Sequence, residues 1–392
     1  MYYDLTRGKI SRSLILFALP MIAGNLLQQF YNIADTLIVG RVLGSNALAA
    51  VGSSYTLMTF LTSIFLGLSM GAGALFSIYQ GRKDLSSLKL SILHAFLLIL
   101  AVTLVLNLAV YAGIEPILTF LRVPDEVRPG MRTYLLIIFA GLIATSVYNF
   151  FSCMLRALGN SSVPLIFLAV SAVLNIALDL LFVAVLPFGI AGAALATVLA
   201  QYVSAVGILL YVLLRCRMWL TVKKEWRFSH SILKEILNLS SMTCIQQSVM
   251  NFGILMVQGL VNSFGPAVMA AFAAAVKIDT FAYLPVQDFG NAYSTFTAQN
   301  YGAGNHERIR RGTKDAFCTE RCFFHRHFSA CQSVRASADA DFRESIRNGG
   351  HRDRRTVPAA GRLVLSRHRM AVSAVRVLPR CQTRRDVGCS DR

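Results

Sequence analysis

The chain has 392 residues, is 55% hydrophobic and only 15% charged, and carries 38 Lys+Arg against 20 Asp+Glu for a formal net charge of +18. Soluble domains average about 25% charged residues, so the composition excludes a disordered polymer and sets the chain apart from ordinary soluble enzymes. In chain order, eight apolar stretches reach the roughly 20 residues that a membrane-spanning helix needs. They lie near 13–39, 47–80, 87–112, 131–156, 163–186, 190–215, 234–262 and 267–298. The first is too long and too polar at its far end for a cleaved signal peptide, so it is expected to be retained. Several exceed the bilayer thickness, which implies tilt or bending.

Lys and Arg in the connections set the expected orientation. One side carries Arg7, Lys9, Arg12, Arg82, Lys83, Lys89, Arg156, the 215–234 group (Arg215, Arg217, Lys223, Lys224, Arg227, Lys234) and Arg308, Arg310, Arg311, Lys314. The other carries only Arg41, Arg122, Arg128 and Arg132. The N-terminus and the 216–233 linker are therefore expected in the cytoplasm. Cys153, Cys216 and Cys244 suggest core thiols and no disulfide framework.

Residues 317–392 differ in kind. They hold 16 Arg and no Lys, seven acidic residues, five of the eight Cys (Cys318, Cys322, Cys331, Cys381, Cys389) and four of the seven His, with no apolar span. The Cys spacing fits no standard zinc pattern. The genetic code favours a frame change near Cys318–Glu320. Read one base later, Met370–Ala371 becomes Trp without choice, and 368–390 is compatible with an apolar helix followed by a basic turn. A non-native, disordered tail is the expectation for 317–392, with a basic solvated extension as the alternative.

A shift of 221 residues aligns spans 1–2 with spans 7–8. Gly44 meets Gly265, Leu48-Ala49-Ala50 meets Met269-Ala270-Ala271, Thr59-Phe60 meets Thr280-Phe281, Gly81 meets Gly302 and Asp84 meets Asn305. Six spans separate the repeat starts, so the expected parent plan is six plus six around a midplane cavity, a transporter design. The expected organisation is a six-helix bundle over 1–215, a cytoplasmic linker over 216–233, the first two helices of a second bundle over 234–316, and the tail.

Intramembrane carboxylates are functional candidates by default. Asp35 lies near the outer end of span 1 and Asp179 in the outer half of span 5, with Asn175 one turn earlier on the same face. Thr197, about two turns into span 6, and Tyr134, about one turn into span 4, share that depth. Two carboxylates with hydroxyl and amide oxygens suit a shared proton or a small hard cation; the competing reading makes Asp35 a helix cap at the water interface. Asp35 aligns with Met256, so the repeat has no second copy of it. Pro20 is a hinge candidate in span 1 or a static kink. Lys277, Asp279 and Asp288 in span 8 are expected to contact substrate or to pair with helices missing here. Asn25 and its repeat mate Gln246 are expected to line the cavity or to bond between helices. Gly81 and Gly302 are expected as C-caps. No phosphate loop or nucleophile triad appears.

Four segments carry a resemblance: ALPMIAGNLLQQFYNIADTLIVGRVLG, LRALGNSSVP, LNIALDLLFV with FGIAGAALAT, and KIDTFAYLPVQDFGNAYSTFTAQNYGAG. Over about 1–316 the chain resembles multidrug and toxic compound extrusion (MATE) transporters; the C-terminal quarter does not. The resemblance implies an all-α polytopic membrane protein of two pseudo-symmetric six-helix bundles, the second incomplete here. It implies export of organic, often cationic, compounds against inward H+ or Na+ flow, with Asp35, Asp179, Asn175, Thr197 and Tyr134 at the coupling site. No cofactor is expected beyond the coupling ion, and no metal beyond a possible Na+ at Asp35 and Asp179. The expected setting is the inner membrane, with a small-molecule substrate, the lipid bilayer as partner, a monomeric state and no nucleic acid. Three alternatives remain: a lipid-linked oligosaccharide flippase, which would want a more basic cavity; an intramembrane enzyme, which would want a nucleophile or a metal cluster; and an inactive truncated transporter.

Overall fold

In a computed structural model, residues 3–220, 228–264 and 266–316 are described. The 317–392 tail, and with it the expected frame change and disorder, lies outside the described residues. So do part of the 216–233 linker and the side chains of Lys277 and Asp279.

The described residues form helices at the expected places: α1 (Ile10–Leu43), α2 (Ser45–Arg82), α3 (Leu85–Ala112), the short α4 (Ile114–Phe120), α5 (Arg128–Ala140), α6 (Leu142–Ala157), α7 (Ser162–Asp179) with a π-helical continuation (Leu180–Val185), α8 (Gly189–Arg215), the short α9 (Arg217–Leu220), α10 (His230–Asn262) and α11 (Pro266–Gly302). Six of these are long and apolar enough to cross a membrane, and α5 with α6 makes a seventh, bent by 46°. The eighth expected span coincides with α11, 37 residues long, which also holds Pro285. Large apolar side chains such as Val105, Leu108, Val173 and Leu214 face outward, more than 60% exposed. That is the pattern of a helix surface solvated by lipid, where backbone groups are satisfied within each helix.

Two departures from straight spans matter. Span 4 breaks at Gly141, where a Cβ would meet the Gln201 side-chain oxygen, so α8 sits against the bend. Span 5 widens into a π-helix directly after Asp179. Such wide turns recur at functional sites, and no proline or glycine within 163–186 announces this one beyond Pro164 at the start. Pro20, by contrast, lies in a helix that is continuous from Ile10 to Leu43.

One end of the bundle carries the basic connections at 3–9, 82–84, 156–161 and 303–316. Here the repeat is visible in the backbone. After α2, Lys83 adopts a left-handed φ of 60° while its N–H bonds to Gln80 and that of Asp84 to Tyr79; after α11, Gly304 has φ 74°, its N–H bonds to Tyr301 and that of Asn305 to Asn300. Every partner obeys the 221-residue shift. Both are helix stops with a left-handed cap residue, so the expectation of Gly81 and Gly302 as C-caps is corrected: the cap positions are Lys83 and Gly304. The two glycines instead let α2 and α11 touch. A Cβ on Gly81 would coincide with the carbonyl oxygen of Gln299, and one on Gly302 with that of Ile78, which is the same contact under the same shift. Asp84 then caps α3, accepting from the Ser87 N–H (3.1 Å) and the Ser86 hydroxyl (2.7 Å). Those donors hold its carboxyl below the usual carboxylate range, so the cap stays charged at neutral pH.

The basic end is closed by contacts between the first helices and the last two. Phe17, Leu14 and Met21 of α1 pack with Phe289, Ala292 and Phe296 of α11. Arg308 donates to the carbonyls of Gly8 (2.7 Å) and Arg7 (2.8 Å). Gln299 donates to the Ala157 carbonyl (2.8 Å), and the Tyr3 N–H to that of Gly159 (2.8 Å). Toward the other end, α2 and α10 are joined by a buried polar cluster. Gln258 donates to Ser53 (3.1 Å) and Asn262 (2.8 Å) and accepts from Thr56 (3.2 Å), while Asn262 donates to the Leu121 carbonyl (2.8 Å). Buried polar groups stripped of partners cost about 1–3 kcal/mol. Gln258→Ala is therefore expected to lower the melting temperature of the purified protein, whereas Gln246→Ala, at an exposed position of the same helix, leaves it within error; equal effects would remove the cluster from the list of what holds α2 to α10.

Candidate functional site

The acidic site is built from four helices of the first bundle. By the 1.5 Å rise per residue, Asp35 sits roughly 12 Å from the non-basic end of α1, Thr197 roughly 12 Å from the start of α8, Tyr134 roughly 9 Å into α5, and Asp179 roughly 9 Å before the end of the π-helix. These four positions lie within one turn of the same distance from their helix ends. Asp35 lies on α1, which packs against α7, the helix that carries Asp179. Asp35, Asp179, Tyr134 and Asn175 are all less than 9% exposed.

Asn175 and Asp179 share one face of α7, four residues apart. Asn175 donates through its side-chain nitrogen to the Thr197 hydroxyl (3.3 Å), which itself donates to the Ala193 carbonyl (3.1 Å). This leaves three oxygens buried without a donor among the described residues: both carboxylate oxygens of Asp179 and the amide oxygen of Asn175. A buried carboxylate is costly unless it gains a proton, a cation or donors. The layer is rich in acceptors and poor in donors, so it suits an arriving proton or a hard oxygen-liganded cation and repels an anion. The cap reading of Asp35 does not fit its burial eight residues inside α1.

The remaining candidates divide. Asn25 on α1 donates to Asp288 on α11 at 2.6 Å, and the other oxygen of Asp288 has no hydrogen-bond partner among the described residues. The two residues thus join the first bundle to the last helix, and Asn25 also lines a cavity. Gln246 on α10 is exposed and does not line that cavity. Pro20 lines it from α1. Lys277 and Asp279 fall on α11, and only their position in the helix is defined.

The cavity measures about 90 Å³ and lies inside the first bundle, among α1, α6, α7 and α8. Gln28, Tyr31, Asn149, Arg156 and Gln201 contribute polar walls. Of these Tyr31 is the link to the acidic layer, since it lies one turn before Asp35 on α1. Apart from Arg156, which enters the sequence analysis only as a marker of orientation, the sequence does not single these residues out. Their signal was present as polar side chains inside otherwise apolar spans 1, 4 and 6, but polar residues in membrane helices more often bond between helices.

A family model described as MatE matches residues 20–181 and 240–319. That match ends beside the 318–320 position of the expected frame change. The chain is 34% identical over 308 residues to the "Probable multidrug resistance protein YpnP" of Bacillus subtilis, covering 78% of this chain and 68% of that one. It is 26% identical over 305 residues to the "Probable multidrug resistance protein NorM" of Thermotoga maritima, covering 77% and 65%. The chain thus spans about two thirds of the length of these relatives. Among solved structures, the outward-facing conformation of a multidrug resistance MATE family transporter is similar with a TM-score of 0.72 at 24% identity, over 80% of this chain and 69% of that one.

Proposed function

Because the chain belongs to the MatE family of transporters, we propose that it is the greater part of a secondary antiporter that exports organic, often cationic, compounds in exchange for inward H+ or Na+. One observation carries the reading: a fully buried carboxylate, Asp179, has no donor among the described residues, and a second buried carboxylate, Asp35, lies on α1, which packs against its helix. The coupling ion enters from the non-basic end, near which that pair lies, and neutralises it. Asn175 and Thr197 supply further oxygens, and Tyr134 covers the pair. Binding at Asp35 is transmitted along α1, with Pro20 as the hinge, to the Asn25–Asp288 contact with α11. The basic end faces the cytoplasm, in keeping with its Lys and Arg, and its packed glycine crossing describes a state closed to that side. The protein works as a monomer in the inner membrane.

The tail after about residue 319 is a frame-changed text, and the first bundle with α10 and α11 is the native part of a two-bundle protein. Two genes test both statements, the one encoding this sequence and one restored to the second frame after codon 319. Cells expressing the restored gene are expected to accumulate less ethidium, and to lose that difference when both the pH and the Na+ gradients are collapsed. Unchanged accumulation with the restored gene at full expression would sink the export reading.

A further inference from the structure

The 221-residue shift makes mates of two helix crossings, α2 with α10 and α11 with α1, and they are built differently. Gly67 and Gly71 of α2 lie against backbone, where an added Cβ would fall on Cys244 and Ser240 of α10. Neither of these helices contains a proline. On α11 the shift puts Asp288 in place of Gly67 and Ala292 in place of Gly71. This crossing holds the Asn25–Asp288 hydrogen bond (2.6 Å), with Pro20 five residues before Asn25 and Pro285 three before Asp288. A proline removes a backbone hydrogen bond and lets a helix bend. Asp288 is 1% exposed; one of its oxygens accepts from Asn25, and the other has no hydrogen-bond partner among the described residues. The charged residues of the helices packed on α11 stand elsewhere along their lengths. On α1 these are Arg12, Asp35 and Arg41, each more than two turns from Asn25. Arg82 and Arg156 close α2 and α6, and His230, Lys234 and Glu235 begin α10. Lys277 and Asp279 precede Asp288 by more than two turns on α11 itself. Asp288 makes no ion pair among the described residues.

A buried carboxylate is costly unless it gains a proton, a cation or donors. The one donor at this site is already used, and a hard cation wants about six oxygens, where Asp288 shows one that is free. A proton needs only that one. We propose that Asp288 is a proton-binding site of its own, apart from the Asp35 and Asp179 layer, and that packing of α1 on α11 depends on it. Both Asn25 and Asp288 lie roughly 20 Å inside the basic ends of their helices, behind the apolar patch of Leu14, Phe17, Phe289 and Phe296. While that patch is closed, the carboxyl keeps its proton. When α1 and α11 part toward the basic end, water reaches the acid, its O–H bond breaks and the proton passes to that water. The charge left on Asp288 resists repacking until a proton is taken back from the same side. The α2–α10 crossing holds no carboxyl at the matching position and stays packed. Acid on the basic side thus favours the closed crossing. The inference rests on the export reading only for the parting of the helices; proton binding itself does not.

The test follows the carboxylic acid C=O stretch of the purified full chain by infrared spectroscopy from about pH 8 to about pH 5, above the range in which most exposed carboxylates take up protons. Asp35→Asn with Asp179→Asn removes the other two carboxyls buried among the described residues. That double variant is expected to gain a buried-acid band as the pH falls, and the triple variant with Asp288→Asn to lose it entirely. The amide is nearly isosteric and still accepts from Asn25, so the loss does not report a broken contact. Stability gives a second reading. The packed crossing holds a proton that the unfolded chain gives up, so the melting temperature of the double variant is expected to fall from about pH 5 to about pH 8. The triple variant is expected to lose at least half of that fall. A double variant without the band, a band that survives in the triple variant, or equal pH slopes of melting overturns the site. An Asp288-dependent band in a protein whose restored form exports nothing would uphold the site while removing the antiport reading, so the two fail separately.

Discussion

Asp179→Asn is expected to abolish export without unfolding the protein. The change is nearly isosteric, yet an amide takes up no proton at neutral pH and brings no charge to a cation. Both oxygens of Asp179 are buried without a donor, so the wild-type site depends on an arriving ion and the variant does not. Burying an unpaired charge costs several kcal/mol. Removing it therefore leaves the melting temperature equal or higher in the absence of coupling ion. Loss of export together with undiminished stability separates a coupling role from a structural one. Asp35→Asn is expected to abolish export as well, because it removes the other buried carboxylate of the site. The pair should be strongly non-additive, the double variant being no worse than either single one. Drug export at the wild-type rate by either variant, measured in the restored two-bundle protein, would refute the assignment.

The second large effect concerns the crossing of α2 and α11. Gly81→Ala puts a methyl where the Gln299 carbonyl oxygen lies, and Gly302→Ala puts one on that of Ile78. The obstacle in each case is helix backbone, which cannot rotate away as a side chain can. Overpacking of this kind costs about 1–3 kcal/mol, occasionally more, and a clear fall in melting temperature is expected for each variant. The two contacts are mates under the 221-residue shift. A shift that relieves one also opens the other, so the double variant is expected to lose less than the sum. Additive losses would mean that the two glycines do not report on one crossing. Alanine at Gly253, where an added Cβ meets nothing within 4 Å, is the control.

Much of this was legible before any coordinates. Runs of apolar residues placed eight spans, and α1–α3, α8 and α10 begin and end within a few residues of those limits. The 221-residue shift, read from pairs such as Gly81 with Gly302, reappears as paired helix stops. The shared depth of Asp35, Asp179, Asn175, Thr197 and Tyr134 followed from counting residues to span ends. These features are local or additive along the chain: a helix has a fixed rise, and transfer of apolar residues to lipid is summed over one stretch. The family resemblance added the expected roles.

What depended on neighbours was not legible. The π-helix after Asp179 and the bend at Gly141 lie in runs whose composition is that of an ordinary span. At the bend, the Gln201 side chain of α8 takes the space that a Cβ on Gly141 would fill. Gly81 and Gly302 resembled helix ends because glycine serves both as a cap and as a place of close approach, and only the position of the other helix tells these apart. Arg156 counted in the sequence as one more charge marking a face of the membrane. In the fold it borders the polar cavity of the first bundle, and it makes no ion pair among the described residues. The sequence determined which segments cross the membrane and at what depth their acids lie, because periodicity and hydropathy act within each helix. Which oxygens are left without donors, which glycines touch backbone and which cation faces a void were decided by tertiary structure, because each is a property of the space between helices.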